Sequence, residues 1–255
     1  MSETIEILAY ILGLTLFRYF IIAGVAFLLC YLLLSKKLEN SKIQKRTVKK
    51  KNIGSEIMHS SQTALVFTAI TFAVLFTPLK QHTLIYENTA DYSYWWMGVS
   101  TLLALVIHDT YFYWMHRLLH NKRIYRYTHA VHHRSTNPSP WASYSFHILE
   151  AVAEGLVLIV IVFVIPMHIT AIALFTVIGL AINVYGHLGY EIAPRVLRKT
   201  FLFKVINTSV HHNLHHSRFH GNYGLYFRFW DRLMKTEIPD YEDQYDVIQQ
   251  KRFGS

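Results

Sequence analysis

Between His116 and His133 the stretch HRLLHNKRIYRYTHAVHH places five histidines in eighteen residues. His116 and His120 lie four apart, and His129, His132 and His133 follow as an H-x-x-H-H group. The same spacing returns in HNLHH at His212, His215 and His216, with His187 between the two groups. On a helix, positions i, i+3 and i+4 share a face, so each H-x-x-H-H is expected to present three imidazoles together. Neutral imidazole is the commonest protein ligand for transition metals and suits Fe, Zn, Cu or Ni better than Mg or Ca. Eight or nine such ligands exceed what one tetrahedral or octahedral ion requires, which points to two ions. Isolated histidines have a blander reading as hydrogen-bonded core or interface residues. His59, His82 and His168 are read that way, and His147 is intermediate.

The rest of the chain must hold these rings. It has 255 residues, is 52% apolar with only 16% charged residues, and has a mean hydropathy of +0.22. That profile suits a polytopic membrane protein. The net charge of +9 arises from basic residues flanking apolar runs, which favours membrane topology over a nucleic-acid groove. Cys30 is the only cysteine, so no intrachain disulfide forms. Residues 5–34 form an apolar run too long for a cleavable signal peptide and without a small-residue cleavage site, and are read as an uncleaved membrane segment. Arg18 interrupts this run, so residues 5–17 are expected partly in the interface and residues 19–34 deeper. Further apolar runs cover 64–79, 94–107, 151–165 and 169–184, the last two a hairpin broken at Pro166. Several are shorter than the ~20 residues a perpendicular crossing needs.

Charge sets the orientation. The loop SKKLENSKIQKRTVKKK carries eight basic residues and one acidic, whereas KQHTLIYENTADYS carries one and two. Cytosolic loops collect Lys and Arg, so residues 36–52 are expected on the cytosolic side. The third run then returns to the cytosol near His108, the hairpin begins and ends there, and the C-terminal segment stays there. Every dense histidine group falls on that one face. The third run continues without a breaker into HDTYFYWMHRLLH, which puts His108, His116 and His120 within an arc of about 120° on one helix.

HDTYFYWMHRLLH, HAVHHRSTNPSPWASYSFHILEA and HHNLHHSRFHGNYGLYFRFWDRL resemble the fatty acid hydroxylase superfamily, also called the sterol desaturase family, over roughly residues 95–235. The resemblance implies an integral membrane enzyme with a cytosol-facing non-haem di-iron site that activates O₂. Matched residue by residue, the metal ligands would be His116, His120, His129, His132, His133, His187, His212, His215 and His216. Some members carry a further histidine where this chain has Asn183. His108 and His211 belong to the family's extended motifs as additional or outer candidates. Lys235 stands where relatives commonly have glycine. The implied fold is all-α: polytopic membrane helices with a cytosol-facing helical cap carrying a histidine-rich dimetal site. Residues 1–92 would supply N-terminal membrane segments and the basic loop, 93–240 the catalytic domain, and 241–255 a C-terminal tail.

Ligating histidines usually pass their second N–H to a carboxylate or carbonyl. Asp109, Glu150, Glu154, Glu191 and Asp231 are near enough, and Asp109 and Glu191 are favoured because each lies within four residues of a motif histidine. Trp141, Tyr144 and Phe146 in STNPSPWASYSF are weaker candidates for lining a substrate entry, or equally for an interfacial aromatic loop. No G-x-G-x-x-G or Walker A loop occurs, so electrons would come from a separate carrier such as cytochrome b5 or a ferredoxin. The leading expectation is O₂-dependent hydroxylation or desaturation of a sterol, fatty-acyl or sphingoid lipid. A metal transporter would need ionisable residues inside the spans, which are nearly bare. A zinc-retaining, non-catalytic relative would share every motif, and a bacterial inner membrane and the endoplasmic reticulum are both open.

Overall fold

The structure is a computed structural model and describes residues 2–254. Helices form over all five apolar runs. The first is α1 (Ser2–Phe27), prolonged by a π-helical turn at Leu28–Leu33. Arg18 does not divide it, because Nη1 of Arg18 donates to Thr176 Oγ1 (2.5 Å) on a neighbouring helix and the run stays unbroken. α2 (Lys50–Phe76) begins well before its apolar run, so Lys50 and Lys51 belong to the helix and not to the basic loop. α3 (Tyr94–Leu119) carries HDTYFYWMHRLLH without interruption, with His120 as its C-cap.

The hairpin is α4 (Ile148–Val164) and α5 (Ile169–Gly186). Pro166 explains the break: the residue before a proline avoids the helical region, and Ile165 is extended (φ −128°, ψ 140°). Two of the isolated histidines act as N-caps. Nδ1 of His147 accepts from the Leu149 amide and Nδ1 of His168 from the Thr170 amide, each satisfying an N–H that the first turn leaves free. Two-residue strands, β1 (Ile85–Tyr86) and β2 (Met167–His168), pair in parallel and tie the loop after α2 to the hairpin's bend. Among the described residues, three helices are long and apolar enough to cross a membrane: Ser2–Leu33, Lys50–Phe76 and Ile169–Gly186.

The main core lies among α2, α3, α4 and α5, around Val74, Leu105, Ile161 and Phe175. The helices put their functional ends together. The C-termini of α3 and α5 and the N-terminus of α4 lie at one end of the bundle, where the basic loop also sits: Gln44 Nε2 donates to Thr136 O and Asn213 Oδ1. The loop 80–92 and the hairpin's bend lie at the other.

A second core covers the histidine end. Beyond the short α7 (Phe229–Leu233), it joins α6 (Ser209–Arg218) and the segment at Phe203 to α8 (Tyr241–Phe253), through Phe203, Val210, Leu214, Tyr241, Tyr245 and Ile248. Residues 241–253 are therefore not a tail. They form a helix whose i, i+4, i+7 face is buried against α6. Lys235 adopts a left-handed conformation (φ 56°), which explains why glycine suits that position at lower cost.

Candidate metal centre

Nine imidazoles converge at the histidine end, in two adjoining groups. His116, His120, His129, His133 and His215 form one, and His132, His187, His212 and His216 the other; within each group the potential ligand atoms all lie within 4.8 Å of one another. The groups touch through His133 and His216 (ring centroids 4.9 Å) and through His129 and His132 (5.1 Å).

Each H-x-x-H-H is shared between the groups. The i and i+4 residues go to one and the i+3 residue to the other, so His129 and His133 part from His132, and His212 and His216 part from His215. Only the second triplet lies on an α-helix, α6. The first occupies turns and a 3₁₀ segment, His132–Arg134, so the expectation of two equivalent helical faces is corrected: side-chain placement there is set by the fold and not by helical period.

The proton positions can be argued from the partners. Nδ1 of His116 donates to Tyr223 O (2.8 Å), of His187 to Asn183 O (2.8 Å), of His215 to Gly221 O (2.7 Å) and of His216 to Ser135 O (3.0 Å). Nδ1 of His132 faces Ser145 O (3.3 Å), and Nδ1 of His129 donates to Glu150 Oε1 (2.6 Å). A neutral ring with its proton on Nδ1 keeps its lone pair on Nε2. Where both rings are tied in this way the Nε2 atoms face one another: His116 and His129 at 2.9 Å, His187 and His216 at 3.2 Å, His132 and His187 at 3.3 Å; the Nε2 atoms of His133 and His212 lie 3.0 Å from those of His215 and His187. Lone pairs held this close repel unless a cation lies between them. Two ligands at right angles on ~2.1 Å bonds stand about 3 Å apart, so the spacing fits a metal ion in each group. Burial, reinforced by the neighbouring rings, holds His129, His132, His133, His212, His215 and His216 well below the usual imidazole range, which keeps them in the neutral, ligating form.

The favoured carboxylates do something else. Asp109 Oδ1 accepts from the amides of Leu225 (3.1 Å), Tyr226 (2.7 Å) and Phe227 (3.1 Å) and touches no ring of either group. It sits on α3 two turns from His116 and points at the loop. Asp231 holds the same loop through the amides of Tyr223 and Gly224 (2.9 and 2.7 Å). Together they fix the carbonyls of Gly221 and Tyr223 that orient His215 and His116. Gly221 itself has φ +71°, and a Cβ there would lie 2.6 Å from Thr236 O. Glu191 Oε2 accepts from the Val210 amide (3.2 Å) in the first turn of α6, and Oε1 from Tyr185 Oη (2.7 Å). It sets the start of the helix that carries HNLHH. Glu150 is thus the carboxylate in direct contact with a clustered ring.

The other candidates are also placed. His108 lies outside both groups, bonded to Glu154 and Tyr226. His211 is fully buried with neither ring nitrogen hydrogen-bonded, and its Nε2 is 3.9 Å from Asp231 Oδ2. Asn183 directs its side-chain amide to Ser143 O (2.8 Å), away from the second group, and serves that group through its backbone carbonyl. Trp141 packs against Tyr19, Phe20 and Phe27 of α1 as a wedge; Tyr144 lines a cavity among the helices; the Phe146 ring lies 5.2 Å from that of His132. Glu56, not singled out by sequence, is buried on α2 and accepts from the hydroxyls of Ser135 (2.7 Å) and Ser139, bracing the segment whose Ser135 carbonyl orients His216.

The fatty acid hydroxylase family model matches residues 101–236, more than half of the chain and every clustered histidine. The chain belongs to the fatty acid hydroxylase family. A Delta(7)-sterol 5(6)-desaturase of Gibberella zeae is 29% identical over 202 residues, 78% of this chain and 61% of the relative. A lathosterol oxidase of Rattus norvegicus is 29% identical over 187 residues, 72% and 60%. A Delta(7)-sterol 5(6)-desaturase of Aspergillus fumigatus is 30% identical over 190 residues, 68% and 59%. The chain thus spans about three fifths of the length of these relatives. No solved structure matches it.

Proposed function

We propose that this family member is a membrane-bound non-haem di-iron oxidoreductase that uses O₂ to hydroxylate or desaturate a lipid. The observation that carries the reading is the pair of adjoining groups in which six of the nine rings turn Nδ1 to a carbonyl or to Glu150 and so direct their Nε2 lone pairs inward. His116, His120, His129, His133 and His215 would hold one iron, and His132, His187, His212 and His216 the other. Iron in such a site can activate O₂ and take hydrogen from an unactivated C–H bond, which redox-inert zinc cannot. The protein's part is to keep the rings neutral, fix their orientation through the loop 219–227, and exclude water by packing α6 and α8 over the site. Relatives named as sterol desaturases and lathosterol oxidases make a sterol the favoured lipid. Residues 93–240 are read as the catalytic unit, with residues 1–92 completing its membrane part. Electrons would come from a separate acidic carrier such as cytochrome b5 or a ferredoxin, suited to the basic loop beside the site.

Purified from iron-supplemented cells, the protein is expected to hold close to two irons and, with O₂ and a donor, to oxidise a membrane lipid. Two zincs and no oxidation would identify a non-catalytic relative instead. Glu150→Ala should weaken metal retention by ~10–100-fold in chelator competition, because His129 loses the acceptor that orients it; Glu150→Gln, which keeps an acceptor, should recover part of this. An unchanged affinity in the alanine variant would remove Glu150 from the site's support.

The active face is proposed to be cytosolic. Cysteines introduced near residues 45 and 240 should be labelled from the cytosolic side and one near residue 88 from the other. Labelling of 45 and 240 from opposite sides would refute the arrangement.

A further inference from the structure

Between α5 and α6 lie two short 3₁₀ turns, Arg195–Lys199 and Phe201–Lys204, that pack on one another. Phe203 enters the second core, but Phe201 is 76% exposed, and Val196 and Leu202 are exposed as well. This segment runs beside α7: the Arg228 amide donates to Val205 O (2.8 Å) and Arg232 Nη1 to Lys204 O (3.1 Å). On α7, Phe229 and Leu233 are one turn apart, share a face and are exposed, while Asp231 behind them is buried. Two adjoining segments of the cap thus leave five large apolar side chains uncovered. Such a concentration marks an interaction surface.

Its level and its charge say what covers it. Trp230 Nε1 donates to Thr110 Oγ1 (3.1 Å) on α3, and the Trp230 ring stacks on that of Tyr113 (5.9 Å). Thr110 follows the apolar run 94–107 by three residues, so α7 lies about 5 Å past the point where that run ends. Trp114, exposed on α3, meets the Trp230 ring edge-on (5.5 Å), and tryptophan favours the boundary between headgroups and acyl chains. From residue 192 to residue 230 the sequence holds no Asp or Glu. Arg198 is taken up by Glu242 and Asp246, and Arg228 by Glu237 and Glu242. Arg195, Lys199, Lys204 and Arg232 are exposed and form no ion pair among the described residues. A second copy of the chain seated here would set these charges against their like. A lipid surface bearing phosphates attracts all four.

We propose that the two 3₁₀ turns and α7 form an interfacial anchor that seats the cap in an anionic lipid leaflet. Phe201, Leu202, Phe229 and Leu233 enter the acyl boundary, and the four basic side chains meet lipid phosphates. An apolar face with basic flanks lies in the interface in this way, buried by about 5–10 Å. The anchor also fixes the height of the metal centre. His116 follows Thr110 by six residues, about 9 Å along α3, so the rings are held just above the headgroup level.

The test places a bimane fluorophore on a single cysteine in the full-length Cys30→Ala protein, in nanodiscs of phosphatidylcholine and phosphatidylglycerol. The sites are Phe201→Cys, Leu233→Cys and, as control, Gln250→Cys on the exposed side of α8. A doxyl lipid labelled near its headgroup should quench the first two at least about twofold more than the control, and aqueous iodide should do the reverse. At Phe201, doxyl-phosphatidylglycerol should quench about twofold more than doxyl-phosphatidylcholine at equal mole fraction. The triple substitution Arg195→Gln, Lys199→Gln and Lys204→Gln should erase that difference. Iodide quenching at both sites as strong as at Gln250 would mean that the cap stands clear of the leaflet and would overturn the proposal. Shielding from both quenchers would overturn it too, since a second copy or another protein would then cover the patch. So would equal quenching by the two doxyl lipids, or a difference that survives the triple substitution. Every substituted cap position is exposed, and the comparison of the two lipids decides even if the triple variant fails to fold. No metal or turnover enters the measurement, so a seated protein that oxidises nothing would uphold the anchor and refute only the di-iron activity.

Discussion

His215→Ala should lose lipid oxidation by at least a hundredfold while the protein still folds and inserts. His215 is wholly buried; its Nε2 lies 3.0 Å from that of His133 and 3.2 Å from that of His120. Removing it leaves four rings in its group and frees the Gly221 carbonyl, so metal can still be held, but not in the same geometry. Loss of an outer partner alone typically costs ~10–100-fold, and loss of a ligand should exceed that. His82→Ala is the matched control: that residue is exposed on the loop at the opposite end of the bundle, and its removal should leave activity nearly intact. Turnover at normal expression and melting temperature is the measurement. Full oxidation by the His215 variant would show that this ring is not an essential ligand, and loss of activity in the His82 variant would place the chemistry on the wrong side of the membrane.

The largest effect on stability is expected at Arg228. Its side chain is fully buried and donates to Glu237 (2.6 and 2.9 Å), to Glu242 on α8 (2.9 Å) and to the Phe203 carbonyl (2.6 Å), with its guanidinium 4.5 Å from the Tyr241 ring centroid. One residue joins three segments of the cap. Arg228→Met should cost about 3 kcal/mol, since it strands a buried carbonyl and takes from Glu237, only 21% exposed, its charged partner. For a chain of this size that lowers the melting temperature by roughly 6–12 °C. Arg198→Met supplies the contrast. Arg198 also pairs with Glu242 and with Asp246, but its side chain is 35% exposed and its partners about as much, so the loss should stay within about 1 kcal/mol. Similar shifts in the two variants would mean that α8 is not held through Arg228.

Much of this architecture is written in local pattern. The five apolar runs have helical length and end at breakers such as Pro166, and helices form there. The spacing of the histidines brings their rings together because α3 and α5 both end, with His120 and His187 as C-caps, at the same end of the bundle. Other features have no local signature. Backbone carbonyls orient most of the rings, and any residue type supplies a carbonyl. Asp109 is adjacent to His108 in sequence, yet neighbours on a helix point about 100° apart, so it reaches a distant loop instead. Glu150 stands at the third position of α4, where a glutamate reads as an ordinary capping residue and hides its contact with His129. Tyr241, Tyr245 and Ile248 do show the i, i+4, i+7 pattern of an amphipathic helix, a signal overshadowed by the polar residues between them.

The crossed sharing of the two H-x-x-H-H triplets also bears on how the protein is made. Each group of rings contains at least one histidine from before residue 134 and at least one from after residue 211. A chain growing from its N-terminus at ~5–20 residues per second therefore carries only partial groups for most of its synthesis. Neither group is whole until α6 has emerged, and His116 and His215 are not oriented until the carbonyls of Gly221 and Tyr223 follow. Both groups are completed by the same helix, so the full ligand sets arrive late and for both at once. A ribosome stalled before α6 would leave a membrane-inserted chain in which four rings of the first group are present but neither group is complete.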